Sequence, residues 1–209
     1  MITVVTSVLL WTRYADRQRT EALRGVAQMM GFTFEEDCGA DRSVKLAGAM
    51  PLFDRGHAHK APRMMQGRLG GQNGAICDYT YTTGGGTSAR VRCLTVALFP
   101  DGAKGWPDLS LSPELVMHKL AAILGYQDID FDSNEGFSKT YLLRGPDEAA
   151  IRAAFRPDIL AYFSGAPGWH VQTLGGRLAV FHEGRFVPPD RIRTFVDDAV
   201  RIAGLFARR

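Results

Sequence analysis

The sequence predicts an α+β fold: an antiparallel β-meander followed by alternating helices and strands, with the helices packed on the sheet. Three observations carry this. Between residues 63 and 99, three strand-like runs are separated by glycine-rich loops. From residue 112 onward, helical and strand-like periods alternate. The last stretch holds a wide apolar face at the 3.6-residue period, and such a face needs a sheet to bury against.

The chain opens on eleven uncharged residues, Met1 to Trp11, and Arg13, Arg17, Arg19 and Arg24 follow. As helix, eleven residues span about 16 Å, roughly half of a hydrocarbon core. The expectation is a truncated membrane anchor over 1–14 and one α+β domain over 15–209, with a sub-boundary near 102–107. The alternative is a short buried strand or helical turn. A secretory signal would carry its charges before the apolar run and small residues after it, and here the order is reversed. The arginines would hold their side in the cytoplasm. The expected address is therefore the cytoplasmic face of the inner membrane, or the cytoplasm where no anchor operates.

Asp16 to Met30 reads as a helix, with Leu23, Val26, Ala27 and Met30 on one face and Gly31 as its stop. Phe32 to Phe34 alternates like a strand. Glu35 to Ala40 reads as loop, and Ser43 to Met50 as one or two helical turns. Arg63–Leu69, Ala75–Tyr81 and Ala89–Phe99 form the meander, joined by loops 70–74 and 82–88. Ser112-Pro113-Glu114 has the hydroxyl, proline and acid of a helix start, with an apolar face from Leu115 to Leu124. Phe137 to Leu143 reads as a strand. Helices are expected from Gly145 to Phe155 and from Pro157 to Phe163. Trp169–Leu174 and Arg177–His182 make a hairpin about Gly175-Gly176, and the final helix starts at Pro188-Pro189-Asp190.

Composition narrows the function. An apolar share of 45% with 22% charged residues belongs to ordinary globular chains. A net charge of +3, with no run of four basic residues, excludes general nucleic-acid binding, which needs a basic stripe against phosphates. Three cysteines are no disulfide scaffold and fit a reducing compartment.

The chemical motifs are incomplete. Asp128, Asp130 and Asp132 alternate as in the start of an EF-hand loop. The sixth position is then Ser133 where glycine is required, and the twelfth is Lys139 where a glutamate is required. Without calcium the run reads as an edge strand with Ile129 and Phe131 inward. His57 and His59 present two imidazoles for a metal but lack a third ligand at a usable spacing, so a basic loop is the plainer reading. Gly84–Ser88 is glycine-rich, yet no lysine precedes its hydroxyls and a strand follows, which makes it a hairpin turn. A hairpin centred on Gly85 sets Cys77 opposite Cys93, Asp78 opposite Arg92 and Tyr79 opposite Val91. The cysteines read as small buried hydrophobes, and Trp106, Trp169, Tyr79, Tyr81 and Phe131 as core. No catalytic residue and no cofactor are implied.

Five segments carry a family resemblance: Tyr79–Gly84, Gln127–Ser133, Phe137–Gly145, Phe155–Leu160 and Pro167-Gly168-Trp169. Through them the chain resembles an uncharacterised family of bacterial proteins, many membrane-anchored, that carry a domain of unknown function. The resemblance implies a transmembrane helix, an arginine-rich helix and a sheet domain, with Met1 falling inside the anchor. It supplies no active-site residues. The leading expectation is thus a membrane-tethered, cytoplasm-facing interaction or structural domain with no assigned activity. Its partners are the membrane, through the N-terminal segment, and an unknown protein. The alternative is a metal-binding protein or enzyme using Asp128, Asp130 and Asp132 or the His57/His59 pair. A lipid- or peptide-binding groove on the sheet is compatible with both.

Overall fold

Helix α1 runs from Ile2 to Met30 without a break, so the apolar leader and the arginine-rich segment are one rod. The computed structural model describes residues 2–39, 50–114 and 128–207. Gly31, at φ +68°, ends α1 as predicted. The Phe32 amide reaches the Ala27 carbonyl and the Gly31 amide that of Gln28, the paired bonds of a Schellman stop.

The sheet has eight strands, all antiparallel, in the order β1-β2-β3-β4-β8-β7-β5-β6. These are β1 (Thr33–Glu36), β2 (His57–Leu69), β3 (Gln72–Thr83), β4 (Arg90–Phe99), β5 (Leu109–Pro113), β6 (Tyr141–Arg144), β7 (His170–Leu174) and β8 (Arg177–Phe181). β4 pairs with β8, so the meander and the second half form a continuous sheet. Among the described residues, the remaining α-helices are α2 (Glu135–Ser138), α3 (Glu148–Ala154), α4 (Pro157–Gly165) and α5 (Ile192–Ala207). The α+β class is as the sequence predicts.

Strict alternation divides the core between the two faces of the sheet. On one face, Met65, Ile76, Ala97, Val171 and Val180 bury against Leu23 and Ala27 of α1, Phe163 of α4 and the apolar face of α5. On the other, Met64, Cys77, Tyr79, Val96 and Phe181 bury against Met50, Leu52 and Phe53. Gly67 sits where Phe32 crosses the sheet; a Cβ there would lie 2.1 Å from the Phe32 ring.

Several local expectations are corrected. β1 extends through Glu35 and Glu36 because their backbone pairs with Met64 and Arg63. Gly70 and Gly71, at φ +57° and +88°, make a two-residue turn, so Gln72 to Gly74 belong to β3 rather than to a loop. Ser112 and Pro113 are still strand, and Glu114 directly after them is in a 3₁₀ turn. Ser112 and Pro113 close β5, where Ser112 pairs with Leu142 and Pro113 stands at the strand end, which tolerates its missing amide. The expected helix body, 115–124, lies outside the described residues, as does the segment 43–49. Phe137 and Ser138 belong to α2, started by Asn134 accepting from the Phe137 amide, and the strand begins only at Tyr141. Residues 128–131 are not an edge strand; a 3₁₀ turn follows at Asp132–Asn134.

Candidate functional site

The chemistry of this chain is concentrated where α1 leaves the globule. From Trp11 to Gln18, every described side chain is exposed; burial begins at Arg19 and Thr20. Asp78, on β3 among apolar neighbours, is fully buried beneath that point. The Arg19 guanidinium donates to both carboxylate oxygens at 2.8 Å. Arg63 of β2, 3% exposed, donates through Nε to the same carboxylate at 2.9 Å. Its Nη1 reaches the Asp16 carboxylate at 2.6 Å and the Thr20 hydroxyl at 3.0 Å. Thr95 of β4 donates to Asp78 at 2.8 Å and accepts from the Val187 amide at 3.0 Å. Phe186 covers the cluster, its ring centroid 4.7 Å from the Arg19 guanidinium carbon and 5.5 Å from that of Arg63. Such cation–π contacts strengthen as water is excluded.

A buried carboxylate needs partners in proportion to its desolvation cost, and here two guanidiniums and a hydroxyl supply them. The result is a rigid clamp joining α1 to β2, β3, β4 and the segment before α5. It fixes the direction in which the helix leaves. A second pair, Arg24 with Glu36, ties α1 to β1 on the exposed side. Arg19 and Arg24 are therefore both paired, Arg19 inside the fold and Arg24 at its surface, and only Arg13 and Arg17 of the expected flanking arginines remain unpaired among the described residues.

The clamp adjoins a cleft of about 1030 Å³ whose walls include Trp169, His182, Arg185, Phe186, Phe195 and Asp198. His182 stacks on Trp169, with centroids 3.8 Å apart, and its Nδ1 donates to the Gly168 carbonyl at 2.7 Å. Burial lowers the pKa of His182 despite that bond. His170 stacks on Phe181 and is fully buried; burial drives its pKa down to about 3, with the Arg55 charge adding to the effect. Segment 182–188 thus serves both structures, one end in the cleft wall and the other over the clamp.

The candidates read from sequence do not converge. The Asp128 carboxylate accepts from the Ile129 and Leu143 amides at 3.0 and 2.8 Å, and burial raises its pKa. Asp130 and Asp132 are exposed. Ala58 has φ +53°, and the register of β2 shifts between His57 and Lys60. That bulge takes the two imidazoles out of the extended geometry expected of them. His57 is exposed, while His59 donates from Nε2 to the Arg55 carbonyl at 3.0 Å beside Tyr79. Both belong to a strand rather than a basic loop. Among the described residues, no group of three or more His, Cys, Asp or Glu side chains is placed to hold a metal ion.

The sequence does not show the clamp, because a hairpin centred on Gly85 sets Asp78 against Arg92. The β3–β4 loop is asymmetric, with a 3₁₀ turn at Gly86–Ser88, and the register lies three residues from the one expected. Asp78 opposes Thr95 rather than Arg92, Tyr79 opposes Leu94 rather than Val91, and Cys77 opposes Val96 rather than Cys93. One legible signal is an acid directly after the apolar run Ala75-Ile76-Cys77 and before Tyr79.

No family model matches the chain. No curated protein is similar to it. Among solved structures, the mycobacterial trehalose monomycolate transport factor A, TtfA, aligns over 91% of this chain and 93% of its own, at 13% identity and a TM-score of 0.61. At that identity the likeness shows a shared fold.

Proposed function

We propose that this chain is a membrane-tethered, cytoplasm-facing interaction or structural domain, held at a fixed attitude to the bilayer by α1. One observation carries the reading: a continuous helix on which Trp11 and residues 13–18 are exposed, while its base is clamped at Asp78. A helix needed only for packing would bury its aromatic residues. Here Trp11 is 71% exposed and Tyr14 62%. These residue types favour the membrane–water interface, where an apolar ring and a polar edge are both accommodated.

The dimensions are consistent with this. No helix among the described residues is long and apolar enough to cross a membrane. Residues 2–11 supply about 15 Å of apolar helix, enough to enter one leaflet. The eight helical steps from Trp11 to Arg19 add about 12 Å, a stem at headgroup depth that carries Arg13 and Arg17. TtfA is named as a transport factor, and the shared fold supports a role in transport for this chain too, as an accessory domain.

The test is flotation of the full chain with neutral phosphatidylcholine vesicles. The wild type is expected to float, and a Leu9→Lys/Leu10→Lys variant to remain in solution with unchanged circular dichroism. A wild-type chain that stays in solution overturns the proposal.

A further inference from the structure

We infer that the turn end of the β3–β4 hairpin is a second membrane contact, one that recognises anionic phospholipid headgroups. The inference rests on the tether reading and extends it to a second surface.

The hairpin turn points toward the same end as the outer half of α1. Met30 and Phe32 lie at the Gln66–Gly67 end of β2, Arg24 beside Glu36, and Arg19 beside Arg63 and Asp78. As numbers fall along α1 they therefore rise along β3, from Ile76 through Asp78 to Thr83. Asp78 to Thr83 covers about 17 Å of strand. The same distance along α1 from Arg19 arrives near residue 8. If residues 2–11 enter the bilayer, Tyr81 and its partner Arg92, about 10 Å beyond Asp78, are carried to headgroup depth and the turn to the edge of the acyl region.

Its surface suits that position. Residues 84–92 are all exposed. Val91, 67% exposed, points to the α1 side of the sheet, and Arg90 and Arg92 to the other. Of the four large exposed hydrophobic residues among those described, Trp11, Tyr14 and Val91 share this end; only Met29 lies away from it. Arg90, Arg92 and Lys60 have no ion-pair partner among the described residues. Of the carboxylates nearby, Asp16 is held by Arg63 and Glu183 by Arg55, which leaves Asp54, beside Tyr79, and Asp37, whose amide bonds the Pro62 carbonyl. An apolar residue flanked by unpaired cations, continuous with a membrane-seeking helix, complements a negatively charged bilayer surface.

The experiment measures binding of the full chain to neutral phosphatidylcholine vesicles and to vesicles containing phosphatidylglycerol. The wild type should gain affinity from the anionic lipid. Arg90→Gln/Arg92→Gln should lower binding to anionic vesicles roughly thirtyfold, the effect of two basic residues at such a surface, and leave neutral binding unchanged. Lys104→Gln/Arg177→Gln, at the opposite end of the sheet, should match the wild type. The inference is overturned if the wild type gains nothing from the anionic lipid, or if R90Q/R92Q loses no more than the distal pair. Failure of the tether itself reads differently: L9K/L10K would then bind neutral vesicles as the wild type does.

Discussion

Arg19 and Asp78 stand 59 residues apart in the chain and meet through two hydrogen bonds of 2.8 Å, one to each carboxylate oxygen. The acid is 1% exposed in its side chain and the base 14%. Paired geometry of this kind orients as well as attracts, because a planar fork meets a planar carboxylate in few ways. Arg63 holds the same carboxylate from the side, so the helix is fixed in rotation as well as position.

Removing that carboxylate strands two guanidiniums, one of them buried. Asp78→Asn keeps the shape and deletes the charge. The expected loss is about 3–5 kcal/mol, the usual cost of breaking a buried pair by one partner. Urea denaturation of the variant against the wild type measures it. A loss within about 0.5 kcal/mol, typical of a surface substitution, would mean that the cluster does not anchor α1.

Thr95 tests the link between the clamp and the segment before α5. Its hydroxyl donates to Asp78 and accepts from the Val187 amide. Thr95→Val is nearly isosteric and leaves both groups short of a partner, at a cost of about 1–3 kcal/mol. In a double-mutant cycle with D78N, the two losses should not add, because the residues share one network.

Acid should destabilise the fold through His170. Its folded pKa is near 3, against an ordinary value of 6.5, so the folded state keeps the ring neutral while the unfolded chain takes up a proton. The stability is fully present above pH 6.5. It falls as pH drops through 6.5 and continues to fall toward pH 3. At pH 5 the loss from this residue is about 2 kcal/mol. His182, shifted the same way, adds to it. Chemical denaturation at pH 7.5, 6 and 5 should show the trend, and His170→Phe should flatten it.

What the sequence made legible followed from periodicity, and what it hid followed from pairing. The face of α5 was readable because Ile192, Phe195, Val196, Ala199, Ala203 and Phe206 repeat at helical spacing, and all are buried. The Gly175-Gly176 hairpin was readable because two adjacent glycines, at φ +56° and +83°, admit little but a tight turn. At Ser112-Pro113-Glu114 a strand end and a 3₁₀ turn meet, and the same polar punctuation serves both. β2 was cut short at Arg63 because Pro62 and the Ala58 bulge interrupt its alternation. The continuity of α1 was hidden by the sharp change from apolar to charged residues, which alters what the helix touches but not its backbone. Asp78 was seen as paired, but its partners come from α1, β2 and β4 and depend on a register that no local pattern sets.

That register makes the last prediction. Cys77 opposes Val96 and faces the Phe53 side of the sheet; Cys93 opposes Thr80 and faces the α1 side. Side chains on opposite faces point apart, and a disulfide requires Cβ atoms within about 4.5 Å. Mild oxidation of the folded chain should therefore produce no Cys77–Cys93 bond, whereas the register centred on Gly85 would set the two thiols side by side. Burial raises the pKa of Cys93 and the neighbouring Asp78 raises it further, which slows its oxidation. Peptide mass spectrometry under non-reducing conditions decides the matter: a 77–93 cross-link formed without denaturant would contradict the pairing of β3 with β4, and with it the placement of Asp78 beneath Arg19.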